Sequence, residues 1–365
     1  MLKFIHAADF HMDSAFASLP PRQAAARRRE SRELPQRLAN YANEHGIGLV
    51  LLAGDLFDSD SGYRETAEML RDALTQMSAQ VFIAPGNHDW YGDHSPYARL
   101  TWSENVHLFR KKTVESVALP EWGVTVHGAA FTAPEQTEGL LTGFTAPADG
   151  SRHLMVLHGE FGTEESAYNP IRREEVERSG LHYLALGHIH KRVEPFQVGR
   201  TWCTWSGCLE GRGFDELGEK GFYEGCLEDD GTVRMKFVPF AWHRYEICRV
   251  DVTGADPFQR ICQTLPEQTA GDLYRILLTG ETGEERIDLE ALHQRLADRF
   301  YSLELQDHTR VAETLWARAE EDTLRGMFLR SMRGRWEKAE TQEEREAVTQ
   351  AVCFGLAALD RRDIG

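Results

Sequence analysis

Five short apolar runs in the first 190 residues are each followed at once by side chains that can hold a cation. They lead into Asp9-Phe10-His11, Gly54-Asp55, Gly86-Asn87-His88-Asp89, His158-Gly159 and Gly187-His188-Ile189-His190. Carboxylate, imidazole and amide oxygen together suit Mn²⁺, Fe²⁺ or Zn²⁺ better than the all-oxygen shells of Ca²⁺ and Mg²⁺. Two such ions about 3.5–4 Å apart can clamp both the attacking and the leaving oxygen of an in-line displacement at phosphorus. Holding them that close requires a carboxylate shared by both. The glycines beside the candidate ligands let the backbone turn sharply there. A lone D-x-H or G-D says little. The inference rests on five such segments falling at five strand ends, because ligands of α/β sheets gather beyond the carboxyl ends of the strands.

The elements that must deliver these residues follow from the apolar periodicity. The runs Leu2 to Ala8, Gly48 to Ala53, Gln80 to Ala84, Leu154 to Leu157 and Leu181 to Leu186 read as strands. Between them, Arg22 to His45 reads as a helix interrupted near Pro35, and Tyr63 to Met77 as a second helix. Further strands are expected at Val124 to Phe131 and around Val193 to Val198. The pattern restarts after Phe240 to Tyr245, with strands at Tyr245 to Val252 and Leu273 to Leu278. Helices are expected at Pro257 to Leu265 and Leu289 to Phe300. From Val311 onward all reads helical, with Leu324, Phe328, Met332 and Trp336 as one stripe. A capping box at Thr341 and Glu344 then opens a helix bearing Val348, Val352 and Leu356. The domains expected are 1–243, 244–310 and 311–365.

The chain has 365 residues and a net charge of −17. Binding to a polyanion is driven largely by Lys and Arg releasing phosphate counterions, so this balance argues against tight DNA binding by the chain alone. No run approaches the roughly 20 apolar residues of a membrane span. The six cysteines form no C-x-x-C pair, and no signal-peptide pattern opens the sequence. Cytoplasm is the expected compartment and no membrane partner is expected.

The ordered set D-x-H, G-D-x-x-D, G-N-H-D, H-G and G-H-x-H resembles that of the calcineurin-like metallophosphoesterases. The resemblance covers about half the chain and implies an α/β, two-sheet metallophosphoesterase sandwich flanked by helices, followed by a small α+β capping domain and a helical C-terminus. It implies that one ion takes Asp9, His11, Asp55 and His190. The other takes Asp55, Asn87, His158 and His188, with Asp55 shared. His88 would act on the phosphate or protonate the leaving oxygen, and Asp58 would orient His88. Two divalent ions are implied, Mn²⁺ first, with Fe²⁺, Zn²⁺ or Mg²⁺ as alternatives. The spellings His6 to Ser14, Gly54 to Asp58, Pro85 to Asp89 and Gly207 to Arg212, running on to Gly218 to Phe222, are nearest the DNA-repair exonuclease branch of SbcD-like and YhaO-like proteins. That branch implies a nuclease acting on DNA with an SMC-like coiled-coil ATPase; a homodimer is left open. The competing readings are a small-molecule or nucleotide phosphodiesterase, favoured by the acidity, and an interaction subunit of an ATPase complex.

Other residues invite plainer readings. His127 precedes Gly128 and imitates a ligand motif, but His158-Gly159 ends a cleaner run. The remaining histidines lack such context and are expected at the surface or in the core. Arg27 to Arg29, with Arg22 and Arg32, are expected on a solvated helix face. Arg212, in a glycine-rich turn, is the better phosphate contact. Trp90, Tyr91, Trp202 and Trp205 fit core packing as well as base stacking, and the Leu324 stripe fits an ordinary buried face as well as a partner dock.

Overall fold

A computed structural model describes residues 1–59, 63–282, 287–311 and 316–359. The chain divides into two compact units, Met1–Trp242 and His243–Gly365.

In the first unit the order is β1 (Leu2–Ala7), α1 (Pro21–Glu44), β2 (Leu49–Leu52), α2 (Arg64–Thr75), β3 (Gln80–Ile83), β4 (Val106–Leu108), β5 (Glu115–Leu119), β6 (Val124–Gly128), β7 (Arg152–His158), β8 (Glu160–Phe161), β9 (Pro170–Ile171), α3 (Arg173–Arg178), β10 (Tyr183–Gly187), β11 (Phe196–Val198), β12 (Thr201–Trp205), β13 (Gly221–Leu227) and β14 (Val233–Pro239). Two six-stranded sheets result, ordered β14-β13-β1-β2-β3-β4 and β11-β12-β10-β7-β6-β5. Strands β1 to β4 run parallel, as do β6, β7, β10 and β12.

Alternation along the strands builds the layers, because successive side chains of a strand face opposite ways. Phe4, Leu49, Leu51 and Phe82 of the first sheet pack with Val126, Leu154, Val156 and Tyr183 of the second. Their neighbours Ile5, Val50, Leu52 and Ile83 join Leu34, Leu38 and Leu70 of α1 and α2. On the far face of the second sheet, Met155, Leu157 and Leu184 meet Val176 of α3. The expected two-sheet sandwich flanked by helices is therefore the fold. His6 lies inside it, hydrogen-bonded to the Tyr183 hydroxyl at 2.7 Å and the Leu186 carbonyl at 3.1 Å, which links the two sheets.

Two expectations fail along α1. The helix is continuous through Pro35. An interior proline costs about 3 kcal/mol, but full burial of Leu34 and Leu38 contributes about 1.5–3 kcal/mol each and holds the segment helical. Arg27 does not face solvent. It is fully buried, donating to Glu210 at 2.7 Å, the Gly211 carbonyl at 2.9 Å and Glu30 at 3.0 Å. Arg28 and Arg32 are partly buried and bond the Ala15 carbonyl and Asp13.

The second unit opens with β15 (Tyr245–Asp251), α4 (Pro257–Thr264), β16 (Leu273–Thr279), β17 (Glu281–Thr282), α5 (Leu289–Leu296), β18 (Ser302–Asp307) and β19 (Arg310–Val311). Strands β15, β16 and β18 form a parallel sheet around Val250, Ile261, Ile276 and Leu292. Val311 ends a two-residue strand paired with β17, where a helix was expected. Residues 312–315 and 360–365, part of that helical expectation, lie outside the described residues. Helices α6 (Leu324–Lys338) and α7 (Gln342–Leu359) follow, the latter opened by the expected reciprocal bonds between Thr341 and Glu344. The stripe is displaced: Leu329 and Met332 are buried, Phe328 and Trp336 are at the rim, and Leu324 is exposed. A row of i, i+4 positions drifts about 40° per step around a helix, which carries Leu324 off the seam.

Replacing Arg27 by Met would remove the guanidinium from the buried Glu210 carboxylate, and urea unfolding should show a loss of about 3–5 kcal/mol; a loss below 1 kcal/mol would contradict that role.

Candidate metal centre

Both sheets send the carboxyl ends of their parallel strands to one place. The turns after β1, β2 and β3 carry Asp9 and His11, Asp55, and Asn87; the ends of β7 and β10 carry His158 and His188, with His190 just beyond. The backbones meet before the side chains do. The Asp9 and His11 N–H groups donate to the Gly54 and Asp55 carbonyls at 3.0 Å each. A Cβ on Gly187 would stand 1.9 Å from the Ala53 carbonyl oxygen, so only glycine allows the sheets to close here. Asp9, His11, Asp55 and His188 all have positive φ, between 44° and 97°. Such backbone costs about 1–3 kcal/mol per residue and gathers at functional sites.

The expected residues come together in overlapping groups; Asp9 is common to two of them, and a third joins His11, Asp58 and His88. Asp9, His11 and His190 form one set of donor atoms within 4.8 Å of one another, and Asp9, Asp55 and His158 form another. Asp55 Oδ2 lies 3.3 Å from His158 Nε2 and 3.8 Å from His11 Nε2. Its other oxygen accepts the His88 N–H at 2.9 Å. Asn87 Oδ1 stands 2.9 Å from His158 Nε2 and 3.1 Å from His188 Nδ1. Asp9 accepts the His188 N–H at 3.0 Å.

Each imidazole is held by its outward nitrogen. His11 Nδ1 donates to Asp58 at 3.0 Å, His190 Nδ1 to Glu216 at 2.7 Å, His158 Nδ1 to the Ala53 carbonyl at 2.8 Å and His188 Nε2 to Glu160 at 3.3 Å. Those bonds fix the tautomers and turn the lone pairs of His11, His188 and His190 inward, while the inner nitrogen of His158 faces the Asp55 and Asn87 oxygens. His11 Nε2 and His190 Nε2 then face each other 3.0 Å apart as two acceptors with no proton between them. A cation that accepts both lone pairs satisfies that pairing, and the acidic oxygens nearby supply countercharge. The donor set fits divalent metal.

Burial and charge act against each other here. Burial raises Asp9 to about 6 and lowers His11 and His188 to about 4. Burial would also raise Asp55, but His158, His11 and His88 together hold it below the carboxylate range. His158, which burial would lower, is raised to about 9 by Asp55 and Asp9.

Two expectations change. The Asp58 carboxylate orients His11 and not His88; it is the Asp58 backbone carbonyl that lies 3.3 Å from His88 Nδ1. The His88 ring is exposed and sits edge-on to His11. Arg212 is at the site, but its guanidinium is committed to Glu216 at 2.7 Å and Asp58 at 3.2 Å. Trp205 is buried and donates to the Gly159 and Gly187 carbonyls, which makes it a brace for the ligand turns. Trp90 and Trp202 are partly buried and pack against the core. His127 is buried away from the ligands, linked to Ser116 at 2.7 Å and His153 at 3.0 Å. Glu160, Glu216 and Asn169 escaped sequence reasoning, since no motif spacing ties them to the ligands. Asp89 was within a motif but had no assigned task. Its carboxylate accepts the N–H groups of Asp55, Leu56, Phe57 and Gly86 and the Tyr97 hydroxyl, at 2.5–3.3 Å.

Residues 2–192 match the calcineurin-like phosphoesterase family, and the chain belongs to it. It is a metal-dependent phosphoesterase. It is similar to the uncharacterized metallophosphoesterase YhaO of Bacillus subtilis, 29% identical over 84% of this chain and 82% of that one. It is also similar to a component of the nuclease SbcCD of Staphylococcus epidermidis, 20% identical over 65% of this chain and 69% of that one. The DNA double-strand break repair protein Mre11 of Methanopyrus kandleri is 21% identical over 69% of this chain and 60% of its own length. No helix among the described residues is long and apolar enough to cross a membrane.

Asp89→Asn puts an amide NH₂ where N–H donors already point. Thermal denaturation should show a loss of about 1–3 kcal/mol, and metal analysis should show reduced binding although Asp89 is no ligand; unchanged metal content would refute the tie. His127 supplies a pH test. Burial holds its pKa down at about 4 against 6.5 unfolded, so the folded state binds fewer protons and stability falls as pH drops from about 6.5 towards 4. In His127→Gln that fall, followed by denaturation at several pH values, should be shallower by up to one proton.

Proposed function

We propose that this chain is a two-metal phosphodiesterase that cleaves DNA. The observation that carries the metal reading is the four imidazoles, each fastened by its outer nitrogen, gathered around the Asp9 and Asp55 carboxylates and the Asn87 amide oxygen. Asp9, His11, Asp55 and His190 would hold one ion; Asp55, Asn87, His158 and His188 would hold the other, with Asp55 common to both. A pair of divalent ions, Mn²⁺ for preference, supplies charge for the phosphoryl oxygens and activates water near neutral pH. The protein's own residues do the rest. Asp58 and Glu216 keep two imidazoles from rotating, and Asn87 contributes an oxygen without adding charge. His88 points a free edge to solvent at the mouth, its Nδ1 turned to the Asp58 carbonyl, so the imidazolium form can pass its Nε2 proton to the departing oxygen and be left neutral.

DNA as substrate is supported by the names of two relatives, a nuclease component and a double-strand break repair protein. The acidity of this chain, net −17, supports a partner that adds DNA affinity. An SMC-like coiled-coil ATPase in the cytoplasm, as the sequence resemblance implies, fits that need.

With Mn²⁺ and linear or single-stranded DNA, wild type should release nucleotides, and His88→Ala should lose at least 100-fold in kcat while retaining its metal. Asp55→Asn should disturb both ions. Absence of cleavage with and without the coexpressed ATPase, alongside hydrolysis of small nucleotide phosphodiesters, would select the small-substrate reading instead.

A further inference from the structure

We propose that Arg212, Glu216 and Asp58 form a charged brace behind one half of the centre, making the position of His11 and His190 the tighter of the two for cation. The proposal rests on the two-ion reading above and deepens it.

The two halves are backed differently. Behind His11 stands the Asp58 carboxylate at 3.0 Å, and behind His190 the Glu216 carboxylate at 2.7 Å. One guanidinium joins them. Arg212 Nη1 donates to Asp58 Oδ1 at 3.2 Å, while Nη2 donates to Glu216 Oε1 at 2.7 Å and Nε to the same oxygen at 3.2 Å. The Arg212 backbone N–H closes the loop on Glu216 Oε2 at 2.8 Å. Glu216 is nearly fully buried and the Arg212 side chain is 20% exposed, so this is no ordinary surface ion pair. Arg212 Nη2 also lies 2.9 Å from His190 Nδ1. The carboxylate oxygen at 2.7 Å from that same nitrogen requires it to carry the proton, so both N–H groups converge on Glu216 Oε1.

The turn bearing the brace is itself tied down. Arg27 donates to Glu210 and to the Gly211 carbonyl, two residues and one residue before Arg212. Lys220 Nζ donates to the His190 carbonyl at 3.2 Å.

The other half has no such backing. His158 donates to a neutral carbonyl, and His188 reaches Glu160 only at 3.3 Å, with Glu160 35% exposed. A carboxylate accepting the outer N–H makes an imidazole a stronger ligand than a carbonyl does, and groups in this layer typically change metal affinity about 10–100-fold. Arg212 contributes by fixing two carboxylates that would otherwise repel each other or swing inwards. Arg212, Glu216 and Asp58 are thus positioning residues, acting on the cation through His11 and His190.

The test is Mn²⁺ binding to the metal-free full chain, read by the electron paramagnetic resonance signal of free Mn²⁺. Wild type should show a tight and a weak class. Glu216→Gln should weaken the tight class about 10–100-fold and leave the weak class in place. Arg212→Lys, which keeps the charge but cannot bridge two carboxylates, should weaken the same class by less. Glu160→Gln should move only the weak class. If Glu216→Gln fails to fold, Arg212→Lys decides alone. An unchanged tight class, or equal weakening of both, overturns the brace. Wild type that binds no Mn²⁺ overturns the two-ion centre itself, and the brace with it.

Discussion

The centre depends on one buried carboxylate that is not among its proposed ligands. Asp89 gathers four backbone N–H groups and a phenol hydroxyl onto two oxygens, taking them from the turn that carries Asp55 and from the turn that carries Asn87. Five donors aimed at one anion replace the water it gave up on burial, and they hold two loops in one arrangement. Burial and the nearby Asp55 push its pKa upward, while the Tyr97 hydroxyl and the Gly86 N–H pull it back. A neutral carboxyl would carry a proton among four backbone N–H groups that can only donate. Asp89 therefore sets where Asp55 and Asn87 stand.

That anchoring explains how so much local strain is tolerated. Four of the seven proposed ligands occupy left-handed backbone. Each deviation is offset by a specific neighbour: Asp9 and His11 bond to the β2 turn, Asp55 to Asp89, and the His188 N–H to Asp9. The ligand turns brace each other across the gap between the sheets, with the Trp205 indole spanning Gly159 and Gly187 from below.

Much of this was legible in the order of residues alone. Strand ends marked by D-x-H, G-D, G-N-H-D, H-G and G-H-x-H announce their chemistry, because ligand types and glycines must sit next to each other in sequence wherever a strand delivers them. The five apolar runs were equally visible, since strands covered on both faces are apolar throughout. What stayed hidden is whatever depends on distance across the fold. Glu216 sits in an ordinary polar loop and Glu160 in the short strand β8, and only folding puts them behind His190 and His188. Arg27 looked like one of a solvated cluster because periodicity cannot show that Glu210, 183 residues away, waits beneath it. The error at Asp58 was of another kind. The residue was found, but its side chain and its backbone carbonyl serve different histidines, a division no motif encodes.

The two-sheet origin of the centre also orders events in time. Strand β1 is hydrogen-bonded on one side to β2 and on the other to β13, with Leu2 opposite Leu227. The first candidate ligand, Asp9, leaves the ribosome early, whereas its partner His190 and the strand that closes the first sheet come far later. Pairings of such long sequence separation form slowly. A nascent chain thus carries half of the candidate ligands with nothing opposite them, and hydrolytic competence arrives only when both sheets have been synthesised and docked, so a truncated product would be inert as a phosphoesterase.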